Sequence, residues 1–175
     1  MRKFTVRDLT LAAMVAALYA VMGYFGNIFG LTFGPIQCRF AEALTVLPFV
    51  FPATAPGLVV GCFLTNLLSL YGPLDVVFGT LATAIAAWLT MKMPRWYLAA
   101  LPPILVNAVI LPPIWAWAEV GTVNPAFWAA CVFNASTFVV GEAIACYVLG
   151  TLLLFALPKL PVLRPYVRPQ SLTHI

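Results

Sequence analysis

Residues 9–25 read LTLAAMVAALYAVMGYF, an apolar run that contains no charged side chain. A helix needs about 20 predominantly apolar residues to cross a bilayer. The run is also longer than the roughly 7–15 apolar residues of a signal peptide, and no clear cleavage site follows it. It therefore predicts a first transmembrane helix that is retained in the protein.

The whole chain shares the composition of this run. Of its 175 residues, 63% are hydrophobic and 8% are charged, whereas soluble domains carry about 25% charged residues. The mean hydropathy is +1.03. These values exclude a soluble globular domain, a disordered chain and a disulfide framework, and they indicate a polytopic membrane protein.

Hydropathy and helix breakers divide the chain into six apolar segments. Because backbone polar groups inside a bilayer must be bonded internally, and the alternation of barrel strands is absent, each segment is predicted to be a helix. The predicted fold is an all-α bundle of six transmembrane helices, a single integral membrane domain over residues 1–175. The segments are 9–25, 40–51, 57–71, 76–91, 97–118 and 127–157.

The basic residues indicate the topology. Eight of the nine Lys and Arg lie near the two chain ends or in the loop around Lys92 and Arg95. With six spans these regions share one side, so the positive-inside rule predicts a multi-pass protein with both termini in the cytoplasm. Arg39 then falls on the external side. Because the basic residues form no continuous face, nucleic-acid binding is not expected.

Glu142 is the most informative polar residue, since it lies well inside the last segment. A carboxylate at that depth is costly and by default suggests a functional site. Three interpretations are open: contact with a ligand, a structural hydrogen bond to Asn107 or Asn134, and a proton relay.

Further polar candidates lie toward the external side. Arg39 and Glu42 are three residues apart, so on a helix they can pair with each other or line the mouth of a ligand site. The tryptophans near the external helix ends form either an interfacial belt or a stacking surface for a flat ring. The candidate substrate-binding residues are Glu142, Asn107, Asn134, Arg39, Glu42, Gln37, Asp75, Trp115 and Trp128.

The sequence contains few residue patterns that would indicate an enzyme. The one histidine, His174, lies near the end of the sequence, which excludes a Ser-His-Asp set or an HExxH zinc site. The four cysteines form no CxxC pair, and no metal site is predicted. Because the chain has no GxxxxGK[ST] motif, transport driven by ATP would need an ATPase on another polypeptide.

Small residues form two adjacent stripes on the first helix. Ala12, Ala16 and Ala20 recur every four residues, and so do Ala13 and Ala17. Such stripes allow another helix to approach closely in a membrane. They predict either packing within the bundle or a docking face for a partner subunit.

Four stretches carry a resemblance to a known family. RDLTLAAMVAALYA at 7–20 is similar to the first helix of the substrate-binding S-components of energy-coupling-factor (ECF) vitamin transporters. FGPIQCRFAEALTVLP at 33–48, GPLDVVFGTLAT at 72–83 and VGEAI at 140–144 resemble the QueT type, the S-components for queuosine precursors.

The resemblance implies a six-helix S-component that captures a 7-deazaguanine base outside a bacterial cell membrane, with the first external loop over its pocket. It implies no catalysis and no cofactor in this chain. ATP is used by two ATPase subunits, which assemble with the transmembrane coupling subunit EcfT. By matching position, Ala12, Ala13, Ala16 and Ala17 are expected to contact that coupling subunit.

Other functions also fit the residues. The chain could be an S-component for another vitamin-like heterocycle, a free-standing channel or proton-coupled carrier with Glu142 as the relay, or a membrane assembly subunit without a small ligand. Binding of a deazaguanine base would favour the QueT-type function, whereas uptake without ATPase partners would favour a carrier.

Overall fold

The computed structural model describes residues 5–30 and 39–168, and over these residues the chain forms six main helices and no strand. The predicted all-α fold and six-helix bundle are confirmed. The helices are α1 (Val6–Ile28), α2 (Phe40–Phe49), α3 (Ala55–Asn66), α4 (Asp75–Thr90), α5 (Leu101–Val120) and α6 (Pro125–Lys159).

The two ends of the bundle differ in the chain segments that they contain. The turns at 67–74 and 121–124 lie at one end, which we call the distal end. The first and last described residues, Thr5 and Arg168, lie at the other end of the bundle. There the backbone N–H of Arg168 donates to the Val50 carbonyl at 2.8 Å, and the Arg168 guanidinium donates to the Met91 carbonyl at 2.5 Å.

A capping box sets the start of α1. The Thr5 hydroxyl accepts a hydrogen bond from the Asp8 backbone N–H at 3.3 Å, and the Asp8 carboxylate accepts one from the Thr5 N–H at 2.9 Å. These bonds satisfy backbone donors that the first turn of a helix leaves free. The helix consequently begins at Val6, three residues before the predicted boundary at Leu9.

The six helices differ in length and type. Three of them, α1, α5 and α6, are long and apolar enough to cross a membrane, and α2 and α4 are shorter apolar helices. α2 is a 3-10 helix of ten residues. Because a 3-10 helix rises about 2.0 Å per residue, it reaches as far as about 13 residues of α-helix. Its residues from Ala41 to Phe49 are all buried, so α2 is an interior element of the bundle.

α3 ends earlier than the apolar composition predicts. The predicted segment ran to Tyr71, but the helix stops at Asn66. The Ser69 hydroxyl accepts a hydrogen bond from the Tyr71 backbone N–H at 3.2 Å, and Gly72 adopts a positive φ of 56°. These local bonds and the left-handed glycine form a turn, which hydropathy alone does not distinguish from a helix.

Glycines on α3 allow close packing against α1. A Cβ added at Gly57 would collide with the backbone oxygen of Ala12. One added at Gly61 would lie 2.9 Å from the Ala16 oxygen and 2.7 Å from Cβ of Tyr19. The backbones of the two helices therefore approach each other as small-residue motifs in membranes permit.

This packing divides the two alanine stripes of α1. Ala12 and Ala16 are buried against α3, whereas Ala13 and Ala17 are exposed. Ala12 and Ala16 thus pack within the bundle in this conformation. Of the four residues expected to contact a coupling subunit, Ala13 and Ala17 are the ones whose side chains lie on the surface.

Replacing Gly57 by valine is expected to destabilise the bundle. The new side chain meets backbone rather than a flexible side chain, and overpacking of this kind costs about 1–3 kcal/mol or more. The midpoint of thermal unfolding of the purified protein in detergent should fall by several degrees. Val60→Ala, at an exposed position of the same helix, is the matched control. A Gly57→Val protein as stable as this control would show that the close contact is unimportant.

Candidate ligand-binding site

A cluster of polar side chains lies inside the bundle, among α2, α4, α5 and α6. Each of its members is at most 5% exposed. Burying such groups in an apolar bundle is costly and points to a function. We call this set the polar cluster, and it consists of Arg39, Glu42, Asp75, Asn107, Trp115 and Glu142.

Asp75, the first residue of α4, connects three parts of the chain. Its Oδ1 accepts a hydrogen bond from the indole N–H of Trp115 at 2.7 Å, and its Oδ2 accepts one from the Ser69 hydroxyl at 2.5 Å. The Arg39 guanidinium lies 3.5 Å from the same Oδ2. Both oxygens of this carboxylate are therefore engaged.

Arg39 is enclosed by aromatic rings. Its guanidinium carbon lies 5.5 Å from the ring centroid of Trp115 and 5.7 Å from that of Phe138, distances at which cation–π attraction operates. Tyr71 stacks on Trp115 with ring centroids 5.4 Å apart. The structure records an ion pair between Arg39 and Asp75, which the i,i+3 spacing of Arg39 and Glu42 did not predict.

Glu42 occupies the first turn of α2, where it is 1% exposed. Its Oε1 accepts a hydrogen bond from the Tyr19 hydroxyl of α1 at 2.6 Å. Within the described residues, its Oε2 is buried and has no hydrogen-bond partner. One acceptor of this carboxylate is thus available to a ligand.

Glu142 shows the same arrangement on α6. Its Oε1 accepts a hydrogen bond from the Asn107 amide of α5 at 2.8 Å, one of the two partners that the sequence suggested. In the described part of the chain, neither Glu142 Oε2 nor Asn107 Oδ1 has a hydrogen-bond partner. These two atoms add two further buried acceptors.

Close packing of α2 on α6 brings the two glutamates near each other. The Cys146 thiol, one turn beyond Glu142, lies 3.4 Å from the Glu42 carbonyl oxygen and donates to it. A Cβ added at Gly150 would lie 3.1 Å from the Ala43 oxygen. The turns of α2 and α6 that carry the two glutamates are consequently adjacent.

Two π-helical segments adjoin the acidic residues of the cluster. One, Asp75–Gly79, begins at Asp75, and the other, Ile144–Gly150, begins two residues after Glu142. The Asn66 amide donates to the Asp75 carbonyl at 3.0 Å. Single-turn π segments occur frequently at functional sites, which is consistent with a binding role for these turns.

A second group of polar side chains lies closer to the distal end. Glu119, near the end of α5, accepts hydrogen bonds from the Tyr71 hydroxyl at 2.7 Å and from the Asn134 amide at 3.1 Å. Burial, followed by the hydrogen bond to Glu119, raises the pKa of the Tyr71 phenol above its ordinary value. Tyr71 therefore remains a neutral donor. Asn134 belongs to this group and bonds Glu119, not Glu142.

One other predicted site residue, Trp128, is not part of the polar cluster. Trp128 is 61% exposed and packs edge to face on Phe127, as an aromatic residue of an interfacial belt would. Trp117 is also exposed, so the belt interpretation suits these two tryptophans but does not suit the fully buried Trp115. Gln37 lies outside the described residues.

Residues that the sequence did not predict complete the site. Tyr19 is not among the predicted site residues, although its hydroxyl is a polar group in the middle of an apolar span and signals a buried partner. Ser69, Tyr71 and Phe138 gave no comparable signal, because their roles depend on the turn at 67–74 and on the packing of α5 against α6.

Comparisons with known proteins agree on one family. The family model described as QueT transporter matches residues 9–159. The chain is also similar to the queuosine precursor transporter QueT of Lactococcus lactis subsp. cremoris (strain MG1363), with 32% identity over 85 residues. That match covers 49% of this chain and 50% of the relative, so it spans half the length of the curated protein. No solved structure matches the chain.

Proposed function

Since the chain belongs to the QueT transporter family, we propose that it is the substrate-binding S-component of an ECF-type importer and binds a 7-deazaguanine precursor of queuosine. The family resemblance found in the sequence is confirmed by the match over residues 9–159. The substrate is suggested by the name of the Lactococcus relative and by the chemistry of the polar cluster.

One observation supports the substrate class above all others. Three buried acceptor atoms lack a hydrogen-bond partner within the described residues, namely Glu42 Oε2, Glu142 Oε2 and Asn107 Oδ1. The pyrimidine edge of a deazaguanine carries N–H donors at N1 and at the 2-amino group. A carboxylate and a neighbouring amide oxygen, as at Glu142 and Asn107, can accept from such an edge in parallel.

The surroundings of these acceptors suit a flat heterocycle. Trp115, a member of the cluster on α5, and Phe138 on α6 lie with ring centroids 5.5 Å apart. Aromatic rings of this kind bind planar bases through offset or edge contacts. The binding site therefore combines buried acceptors with an apolar aromatic wall, the usual composition of a small-molecule site.

In the proposed transporter this chain binds the substrate and other subunits supply the energy. Two ATPase subunits hydrolyse ATP, and the coupling subunit EcfT contacts the exposed alanines Ala13 and Ala17 of α1. The chain itself performs no catalysis and carries no cofactor. This face suits a partner helix because its small residues permit a close approach of the two backbones.

The proposed orientation follows from the charges. Arg7, Lys92, Arg95, Lys159 and Arg168 lie at the end of the bundle opposite the distal turns, so the positive-inside rule places that end in the cytoplasm. The distal end then faces the outside of a bacterial cell membrane, where an importer first meets its substrate.

Replacing Glu142 by glutamine is expected to weaken binding of a 7-deazaguanine base about tenfold or more. The change removes the negative charge that strengthens hydrogen bonds from the base, and such charge-assisted bonds contribute about 1.5–3 kcal/mol. Calorimetric titration of the purified protein measures the effect. Ser136→Ala removes an exposed hydroxyl from the same helix and should leave the affinity nearly unchanged. Wild-type affinity in Glu142→Gln would exclude Glu142 from the site.

A further inference from the structure

Exposed cations are concentrated at the end of the bundle opposite the distal turns. The acidic side chain at that end, among the residues that the structure describes, is Asp8, which is 4% exposed and engaged in the capping box. The surface of this end is therefore positively charged, without an exposed carboxylate in the described chain. Its exposed cations are Arg7, Lys92, Arg95, Lys159 and Arg164.

Two of these cations lie against exposed aromatic rings. The Lys92 ammonium is 3.3 Å from the ring centroid of Trp88, and the Arg95 guanidinium donates to the Tyr97 hydroxyl at 2.7 Å. Trp88 is 52% exposed and Tyr97 is 40% exposed. Lysine has three N–H donors and arginine has five, so both cations retain donors that can bind an anion.

The end of α6 extends this surface. Trp96 packs edge to face on Tyr97 and on Phe155 of α6, with ring centroids 5.8 Å and 5.2 Å apart. Lys159, the last residue of α6, follows Phe155 by about one helical turn. We call this surface the basic–aromatic patch, and it consists of Trp88, Lys92, Arg95, Trp96, Tyr97 and Lys159.

Apolar side chains continue beyond the cations. Leu160 and Val162, directly after α6, are 49% and 79% exposed. The Arg168 guanidinium donates to the Met91 carbonyl, so the segment that carries them is held against the turn that contains Lys92. Charge alone would suit an acidic protein as well as a lipid. Exposed apolar and aromatic side chains beside cations at the end of a membrane helix favour the boundary between lipid headgroups and acyl chains.

We propose that the basic–aromatic patch binds an anionic phospholipid. Lys92, Arg95 and Lys159 contact the phosphate of the headgroup, as basic pockets between transmembrane helices do. The exposed aromatic rings, together with Leu160 and Val162, contact the adjoining part of the acyl chains. The inference concerns a surface outside the polar cluster and does not depend on the proposed substrate.

The test compares two phospholipids with identical acyl chains, phosphatidylglycerol, which is anionic, and phosphatidylcholine, which is zwitterionic. Each is added to the full-length protein in detergent, and native mass spectrometry counts the lipids that the protein retains. Because three cations act together, phosphatidylglycerol should bind roughly 10- to 100-fold more tightly. Inorganic phosphate has no acyl chain and should not displace it at equal concentration.

Single substitutions locate the lipid. Arg95→Gln should weaken phosphatidylglycerol binding about fivefold, and replacing Lys92, Arg95 and Lys159 together by glutamine should remove the preference. Arg7→Gln, which neutralises an exposed cation of α1 at the same end, is the matched control and should retain the preference. The midpoint of thermal unfolding in phosphatidylcholine should equal that of the wild type in each variant, which shows that the fold is intact.

Four outcomes would overturn the inference. Equal retention of the two lipids by the wild-type protein would show that the patch does not select an anionic lipid. Equal losses in Arg7→Gln and Arg95→Gln would show that diffuse charge, not the patch, attracts the lipid. Displacement by inorganic phosphate at equal concentration would indicate a site for the free ion. Binding of a polyglutamate peptide without binding of phosphatidylglycerol would indicate an acidic protein as the occupant.

Discussion

Asp75→Ala is expected to abolish ligand binding and to lower the midpoint of thermal unfolding by roughly 10 °C. The substitution removes the ion pair recorded for Arg39 and leaves the buried indole N–H of Trp115 without its acceptor. Removing one partner of a buried ion pair costs about 3–5 kcal/mol, because the other charge stays in the apolar interior. Unfolding of the purified protein in detergent, followed by tryptophan fluorescence, measures the effect.

Two variants separate the contributions at this position. Asp75→Asn keeps an oxygen that can accept from Trp115 but loses the charge, so its stability should fall between those of the wild type and Asp75→Ala. Glu119→Ala removes an exposed acidic side chain near the same end of the bundle and should be far less damaging. An Asp75→Ala protein with wild-type stability would contradict the central position assigned to this carboxylate.

Ala13→Trp is expected to abolish uptake while ligand affinity is unchanged. Ala13 is exposed on α1 and lies outside the polar cluster, whereas its neighbour Ala12 packs against Gly57. A bulky indole would prevent the close helix approach that the proposed coupling subunit requires. Uptake of a radiolabelled 7-deazaguanine base is measured in vesicles that contain this chain, the coupling subunit and the ATPases, and affinity is measured separately by titration.

The control for this experiment is another exposed alanine. Ala129→Trp on α6 introduces the same side chain on a different surface and should leave uptake intact. Unimpaired uptake in Ala13→Trp would remove this face from the proposed interface. Uptake by vesicles that contain this chain alone would favour a free-standing carrier over an S-component.

Those features of the fold that depend on composition could be predicted from the sequence. The six helices follow from hydropathy and breakers, and the boundary at Val6 differs from the prediction only because of the Thr5 capping box. The 3-10 form of α2 and the π segment after Glu142 could not be predicted. Because these segments are almost entirely apolar, their periodicity carries little information about helix type.

The candidate site was predictable in its residue types but not in its pairings. A buried carboxylate such as Glu142 is conspicuous in an apolar span. The Arg39–Glu42 interaction suggested by an i,i+3 spacing assumes an α-helix, yet Arg39 is the residue before a 3-10 helix and has φ −82° and ψ 90°. Its ion pair with Asp75 joins residues far apart in sequence, and such a contact depends on helix packing.

Aromatic residues illustrate the same limit. Trp115 and Trp128 gave the same signal, since both lie near predicted helix ends. The structure buries Trp115 between Tyr71 and Phe138, while Trp128 is on the surface. What distinguishes them is the packing of neighbouring helices and turns, which a single sequence does not contain.

Calorimetric titration of the purified wild-type protein tests the central proposal most directly. The protein is titrated with 7-deazaguanine bases and, in parallel, with thiamine, riboflavin and biotin. We expect saturable binding of a deazaguanine base and no binding of the three vitamins. Saturable binding of a vitamin together with no binding of any deazaguanine base would contradict the proposed substrate.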